Sequence, residues 1–179
     1  FEPATQNYDL LCRNIVLNNL TNGVRAYCAA LSEKFSLDNL YLSDRSAGAS
    51  CNELGESVGP NLEPRRNPNI QGCVALTVDA LVSEGHVPQP DHIKIDVDGF
   101  EHRVVAGSQN TIKRAKSLLV EINENLEQHR ALVSFLMARG FEFRAHQVDQ
   151  ARRKSGPFKG CAEYLFTRER DEIDALIDR

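Results

Sequence analysis

No apolar run in this chain approaches the ~20 residues that a helix needs to cross a bilayer, and a membrane is not expected as a partner. There is no Cys-x-x-Cys pair. The five cysteines (Cys12, Cys28, Cys51, Cys73 and Cys161) are odd in number and irregular in spacing. That pattern argues against a disulfide framework and against a Cys/His zinc site, and fits reduced thiols in a cytoplasmic protein. Cys12 falls on an apolar helical face and Cys28 in an expected strand, so both read as buried thiols. Positive charge is not in excess: 21 Lys and Arg against 25 Asp and Glu leave a formal net charge of −4. Binding to a phosphate backbone favours clustered positive charge, so nucleic acid is not an expected partner. Phe1-Glu2-Pro3 shows no leader pattern, and there is no internal repeat or low-complexity block.

With 179 residues and 41% hydrophobic content, the chain can bury a core as a single domain, residues 1–179. Tyr8, Leu11, Cys12, Ile15 and Val16 recur at helical spacing, with Thr5 as N-cap and Asn22-Gly23 as stop. Strands are expected over 24–31 and 37–42. Residues 47–69 are rich in Gly, Pro, Asn and Ser, and read as a long loop, either a lid or a disordered tract. An edge strand over 73–77 and a short helix through Val82 follow. Next come a helix over 100–106 bending at Gly107, a short helical turn through Arg114, and an apolar strand over 118–122. An amphipathic helix over 126–139 points Leu132, Val133, Leu136 and Met137 inward and closes at Gly140. Strands over 141–147 and 161–167 would form a long antiparallel hairpin, with a last helix over 169–177. This alternation predicts an α/β three-layer sandwich, mostly parallel, ending in a C-terminal antiparallel hairpin.

The segment Asp91-His92-Ile93-Lys94-Ile95-Asp96-Val97-Asp98-Gly99-Phe100-Glu101 carries the most chemistry. Ile93, Ile95 and Val97 are strand formers bounded by turn residues. Asp96 stands where the strand ends, and Gly99 permits a bend that a Cβ would resist. Ligands of open α/β sheets sit just beyond the carboxyl ends of strands, so an acid there is placed for chemistry. In order along the chain lie Phe1-Glu2-Pro3, Ala30-Leu31-Ser32, Leu76-Thr77-Val78-Asp79-Ala80-Leu81, the acidic strand, and Leu119-Val120-Glu121-Ile122.

This ordered set resembles the FkbM-type family of S-adenosylmethionine-dependent methyltransferases. It is similar to that family's I-K-I-D-V-E-G-F-E signature, with Asp98 in place of the usual Glu, and the resemblance runs from Phe1 to about Phe143. It implies a Rossmann-like class I methyltransferase sheet, S-adenosylmethionine as cofactor, and O-methylation of a small-molecule, natural-product or sugar hydroxyl. In the family a strand and an acid-x-Gly-x-Gly turn precede the position of Phe1, so the resemblance implies an N-terminally truncated domain.

Methyl transfer needs the acceptor aligned and able to attack, and a nearby carboxylate can orient it or take its proton. Within the resemblance, Glu2 is the ribose candidate and Ala30 and Leu31 would border the adenine. Asp96 is the first candidate for the active centre, either orienting the acceptor or touching the cofactor's amino group. Glu101 and Glu121 are further catalytic candidates, though Glu101 has the alternative role of satisfying backbone N–H groups. Asp98 is expected to be solvated. A carboxylate at Glu121 inside an apolar strand must be paired or neutralised. Beside Asp96 it would either share a proton, hold a divalent cation, or pair structurally; no residue is assigned as a metal ligand. His102 and His146 are candidates to approach the cleft. Arg152, Arg153, Lys154 and Lys159 read as a solvated hairpin tip. Two rival functions remain at this point: a non-catalytic α/β interaction module, and a nucleotide-binding oxidoreductase in which Glu2 would clamp the ribose of NAD.

Overall fold

The computed structural model describes residues 1–59, 61–66 and 69–168; the helix expected over 169–177 lies outside them. It is built around β6 (Ser117–Asn123). Leu118, Val120 and Ile122 on one face of this strand are wholly buried. Each aliphatic side chain removed from water in this way contributes about 1.5–3 kcal/mol. β6 pairs in parallel with β5 (His92–Ile95), placing Ile95 opposite Val120. On its other side it pairs antiparallel with β7 (Cys161–Thr167).

The main core gathers α3 (Glu101–Ala106), α4 (Gln109–Ile112), α5 (Glu127–Met137) and α6 (Ala145–Ala151) onto these strands. Along α5, His129, Leu132 and Leu136 are buried, while Met137, expected to point inward, is 51% exposed.

A second sheet has the order β1-β4-β2-β3, with β1 Ala30–Leu31, β2 Ser36–Leu42, β3 Glu53–Leu54 and β4 Asn69–Leu76. Its small core holds Ala4, Ala30, Leu40, Leu42, Cys73 and Ala75. α1 (Thr5–Leu17) lies at its start, and α2 (Val78–Ser83) follows β4. The α2 residue Asp79 accepts the backbone N–H groups of Asn110 and Thr111 and the Thr111 hydroxyl, which ties α2 to the start of α4.

Several local expectations are corrected. The sheets are mixed: two of the five strand pairings are parallel and three are antiparallel. Strand 24–31 shrinks to β1. β4 is not an edge, because β1 and β2 flank it. Among the described residues no C-terminal hairpin forms. Residues 145–151 are helix α6, and β7 returns instead to β6, with a lone bridge from Glu142 to Thr167. Phe141 and Phe143 alternate like a strand, and Glu142 bridges Thr167 on the edge of β7 away from β6, but pairing stops there and Val148 enters the main core from a helix instead. α1 ends at Leu17, with Asn19 in the left-handed region at φ 58°, before the Asn22-Gly23 stop is reached. Its N-cap is Ala4 and not Thr5. Val16 is exposed, as is Cys28, which is not in a strand; all five cysteines are free thiols.

The two sheets are held together at one close approach. A Cβ built on Gly107 would lie 2.0 Å from the Ser32 carbonyl oxygen and 3.2 Å from the Glu33 Cα. Gly107 follows α3, and Ser32 follows β1. The absence of a side chain at 107 therefore lets the backbone of one sheet's strand end rest on the other's helix.

Candidate functional site

A cavity of about 610 Å³ opens between the two sheets, with β1 on one side and the β5 strand end on the other. Glu2, Ala30, Leu31 and Asp96 all contribute to its wall, although they span ninety-four positions of sequence. Its size falls within the roughly 300–1,000 Å³ common for small-molecule sites. Glu101 and Glu121 lie outside the wall, behind Asp96.

The turn after β5 is built from two successive left-handed residues, Asp98 at φ 53° and Gly99 at φ 109°. Gly adopts that conformation without cost; Asp is among the few other residues that tolerate it. Glu101 fixes the turn. It is 0% exposed, and its Oε1 accepts the N–H of Val97 at 2.9 Å and of Gly99 at 3.3 Å. That realises the backbone role foreseen as its alternative. Asp96 is left free of capping duty: the N-cap of α3 is Phe100, and the Asp96 side chain remains 41% exposed with Lys94 Nζ 3.3 Å away.

Asp98 is not solvated. Its Oδ2 accepts the Cys51 N–H at 2.9 Å, and burial lifts its carboxyl above the usual range. Together with Arg103, which reaches the Leu54 carbonyl and pairs with Glu56 while its guanidinium lies 4.3 Å above the Phe100 ring, it fastens the 48–56 segment to the β5–α3 turn. At its other end that segment is tied to α1, with Asn7 accepting the Gly48 N–H and donating to the Ala49 carbonyl. Ala49, Ser50 and Asn52 thus form one wall of the cavity.

Glu121 is 8% exposed, beside Arg153 Nη2 at 2.9 Å. Burial, with Asp96 adding like charge, pushes its carboxyl up to about 7 despite that partner. Arg152 pairs with Glu124, and Arg153 also lies over the Phe158 ring. Arg152 and Arg153 are therefore anchors, while Lys154 and Lys159 are exposed as expected. Glu2 accepts the Ala4 N–H through Oε1 at 2.8 Å, leaving Oε2 for a ligand. His102 is half-buried between Phe100 and His129, His146 is exposed on α6, and neither reaches the cavity wall.

Two buried groups at or near the site went unnoticed in the sequence. His129 accepts the Asn123 N–H at Nδ1, 2.9 Å, which leaves its one proton on Nε2, 3.0 Å from the Gly99 carbonyl. The spacing of His129, Leu132 and Leu136 carries a signal for it, since the three share a helical face. Glu53 on β3 has no such signal: it is one acid in a polar stretch.

Glu53 is 1% exposed and pairs with Arg65 Nη2 at 2.9 Å. Burial, only partly offset by Arg65, raises its carboxyl to about 7. A raised folded-state value means the native state holds a proton that the unfolded chain releases from its ordinary value of 4.5. Stability should therefore fall as pH rises from about 4.5 to 7 and level off above, by on the order of 2–3 kcal/mol. Urea midpoints measured across that window should show the slope, and Glu53→Gln should remove about half of it, because Glu121 is raised to the same value and contributes with the same sign. An equally steep profile in the variant would place the effect elsewhere.

The sequence model of the methyltransferase FkbM domain matches residues 1–143. A stretch of 52 residues is 37% identical to the hexuronic acid methyltransferase AglP of Haloferax volcanii, covering 29% of this chain and 22% of that protein. The chain thus matches about a fifth of that relative's length. No solved structure matches the chain.

Proposed function

Starting from the chain's membership of the FkbM methyltransferase family, we propose that it is an S-adenosylmethionine-dependent methyltransferase acting on a hydroxyl of a small molecule. The observation that carries this reading is the convergence of Glu2, Ala30, Leu31 and Asp96 on one cavity. The family match favours methyl transfer over the oxidoreductase alternative. The relative's hexuronic acid substrate makes a sugar hydroxyl the first acceptor to test.

The residues fit the cofactor chemically. Glu2 has one carboxylate oxygen free of the helix start, and would accept hydrogen bonds from vicinal ribose hydroxyls. Ala30 and Leu31 offer an apolar border to a purine. S-adenosylmethionine, when bound, supplies a methyl carbon made electrophilic by its sulfonium. Asp96 would orient the acceptor hydroxyl and take its proton. The Glu101 and Asp98 contacts hold the turn that carries Asp96, so the carboxylate does not have to be ordered at each encounter.

Calorimetric titration of the protein with S-adenosylhomocysteine tests the reading. Binding is expected, and Glu2→Ala should weaken it by about 1.5–3 kcal/mol, the usual loss for charge-assisted hydrogen bonds. Unchanged affinity in the variant would remove Glu2 from the site. No binding by the wild-type protein, with or without acceptor, would favour the non-catalytic module.

A further inference from the structure

One carboxylate oxygen from each of Asp96, Glu101 and Glu121 lies within 4.8 Å of the other two. Acids in a group are common and say little alone. Here the most deeply buried of the three also carries an orphaned atom: Glu101 Oε2, in a residue with 0% exposure, receives no hydrogen bond. His129 Nε2 stands 3.0 Å from it, but without the alignment of a hydrogen bond. The Asn123 N–H donates to His129 Nδ1, and Nε2 faces the Gly99 carbonyl, so the ring's hydrogen bonds go to the main chain and not to Glu101 Oε2. A buried carboxylate oxygen left without a hydrogen bond or a cation is destabilising.

The balance of charge points the same way. Asp96, Asp98, Glu101 and Glu121 cluster at this strand end. The cations that face them are Lys94, shared with Glu163, and Arg153, each at least half exposed on a flexible stem. Among the described residues His129 is the one basic side chain paired with Glu101, and it makes no hydrogen bond to Oε2.

We propose that Asp96, Glu101 and Glu121 hold a hard divalent cation of the Mg²⁺, Mn²⁺ or Ca²⁺ class. Three carboxylates with no sulfur or nitrogen select that class. Opposite oxygens around such an ion stand roughly 4.0–4.2 Å apart for Mg²⁺ and 4.6–5.2 Å for Ca²⁺. The 4.8 Å span therefore admits the larger ion as it stands and the smaller one after a slight closure of side chains. Arg153 and Lys94 would swing to solvent as the ion enters. Asp96 alone of the three reaches the cavity wall, so the ion's remaining positions face the ligand. This deepens the proposed function, and rests on it, by naming an acceptor class: molecules presenting two adjacent oxygens, such as a hydroxyl beside a carboxylate or a second hydroxyl.

Mn²⁺ titration of the full chain, read by electron paramagnetic resonance, tests the site without any assay of activity. One ion should bind per chain. Glu121→Gln and Asp96→Asn should each weaken it by roughly tenfold or more. Asp96 is exposed, so that variant folds even if the buried one does not. The absence of saturable binding at millimolar Mn²⁺, or equal affinity in Asp96→Asn, would overturn the proposal and leave the cluster as an internal network of acids with Lys94 and Arg153. S-adenosylhomocysteine binding is measured separately. If Mn²⁺ binds and S-adenosylhomocysteine does not, the cation site stands and the methyltransferase reading fails.

Discussion

Asp96→Asn is expected to lower kcat by roughly 10²–10⁴, the range for loss of a general base. Asn keeps the shape of the side chain but loses the charge and the capacity to take a proton. The side chain is half-solvated and caps nothing, so the fold should tolerate the change. S-adenosylhomocysteine affinity should stay near the wild-type value if Asp96 serves the acceptor, and fall with kcat if it touches the cofactor's amino group. Steady-state kinetics and calorimetry on the same variant separate the two. A wild-type kcat would exclude Asp96 from the chemistry altogether.

The largest effect on stability should come from a residue with no functional group. Gly107→Ala places a methyl 2.0 Å from the Ser32 carbonyl oxygen, with the Ser32 and Glu33 backbone directly behind it. A flexible side chain could move aside, but a strand end cannot without shifting β1. At φ −84° the residue itself is unstrained, so the whole penalty is steric. Overpacking costs about 1–3 kcal/mol where side chains can adjust, and the upper end or beyond is expected here. Urea denaturation of the variant should show a lower midpoint with an unchanged slope. A wild-type midpoint would mean that β1 and α3 are not held at this separation. Because Leu31 and Ser32 line the cavity beside Val104 and Ser108, the same substitution should also weaken S-adenosylhomocysteine binding.

What local sequence reveals here is element type more than partner. The unbroken apolar run of β6 and the helical face of α5 were legible because burial on one strand or one face leaves its period in the sequence. The outcome at 145–151 was not. His146 and Val148 sit in an alternating pattern, yet Val148 is buried as part of a helix. What selects a helix there is the core that Val148 joins, assembled from segments distant in sequence. β4 illustrates the same limit: nothing in Cys73 to Leu76 tells an edge from a strand held on both sides. Of the candidate site, Glu2, Ala30, Leu31 and Asp96 were legible through the ordered motifs, and the fold brings them to one cavity. Asp98 and Glu53 were not, because their burial depends on Cys51 and Arg65, far from their own local context.

Because β5 meets only β6 among the described residues, half of its backbone amides and carbonyls turn away from the sheet. Parallel strands send alternate residues to each side. A wall that looks aliphatic from its Ile93 and Ile95 side chains thus carries a row of polar groups that wet it and can bind a ligand by main chain alone. Open edges of this kind also recruit foreign strands, and proteins commonly guard them with lysine. Lys94 occupies the middle of this edge, gripped by Asp96 and Glu163. Its ammonium is held by Glu163 of β7, across β6, so the outward main-chain groups of β5 stay open to a ligand.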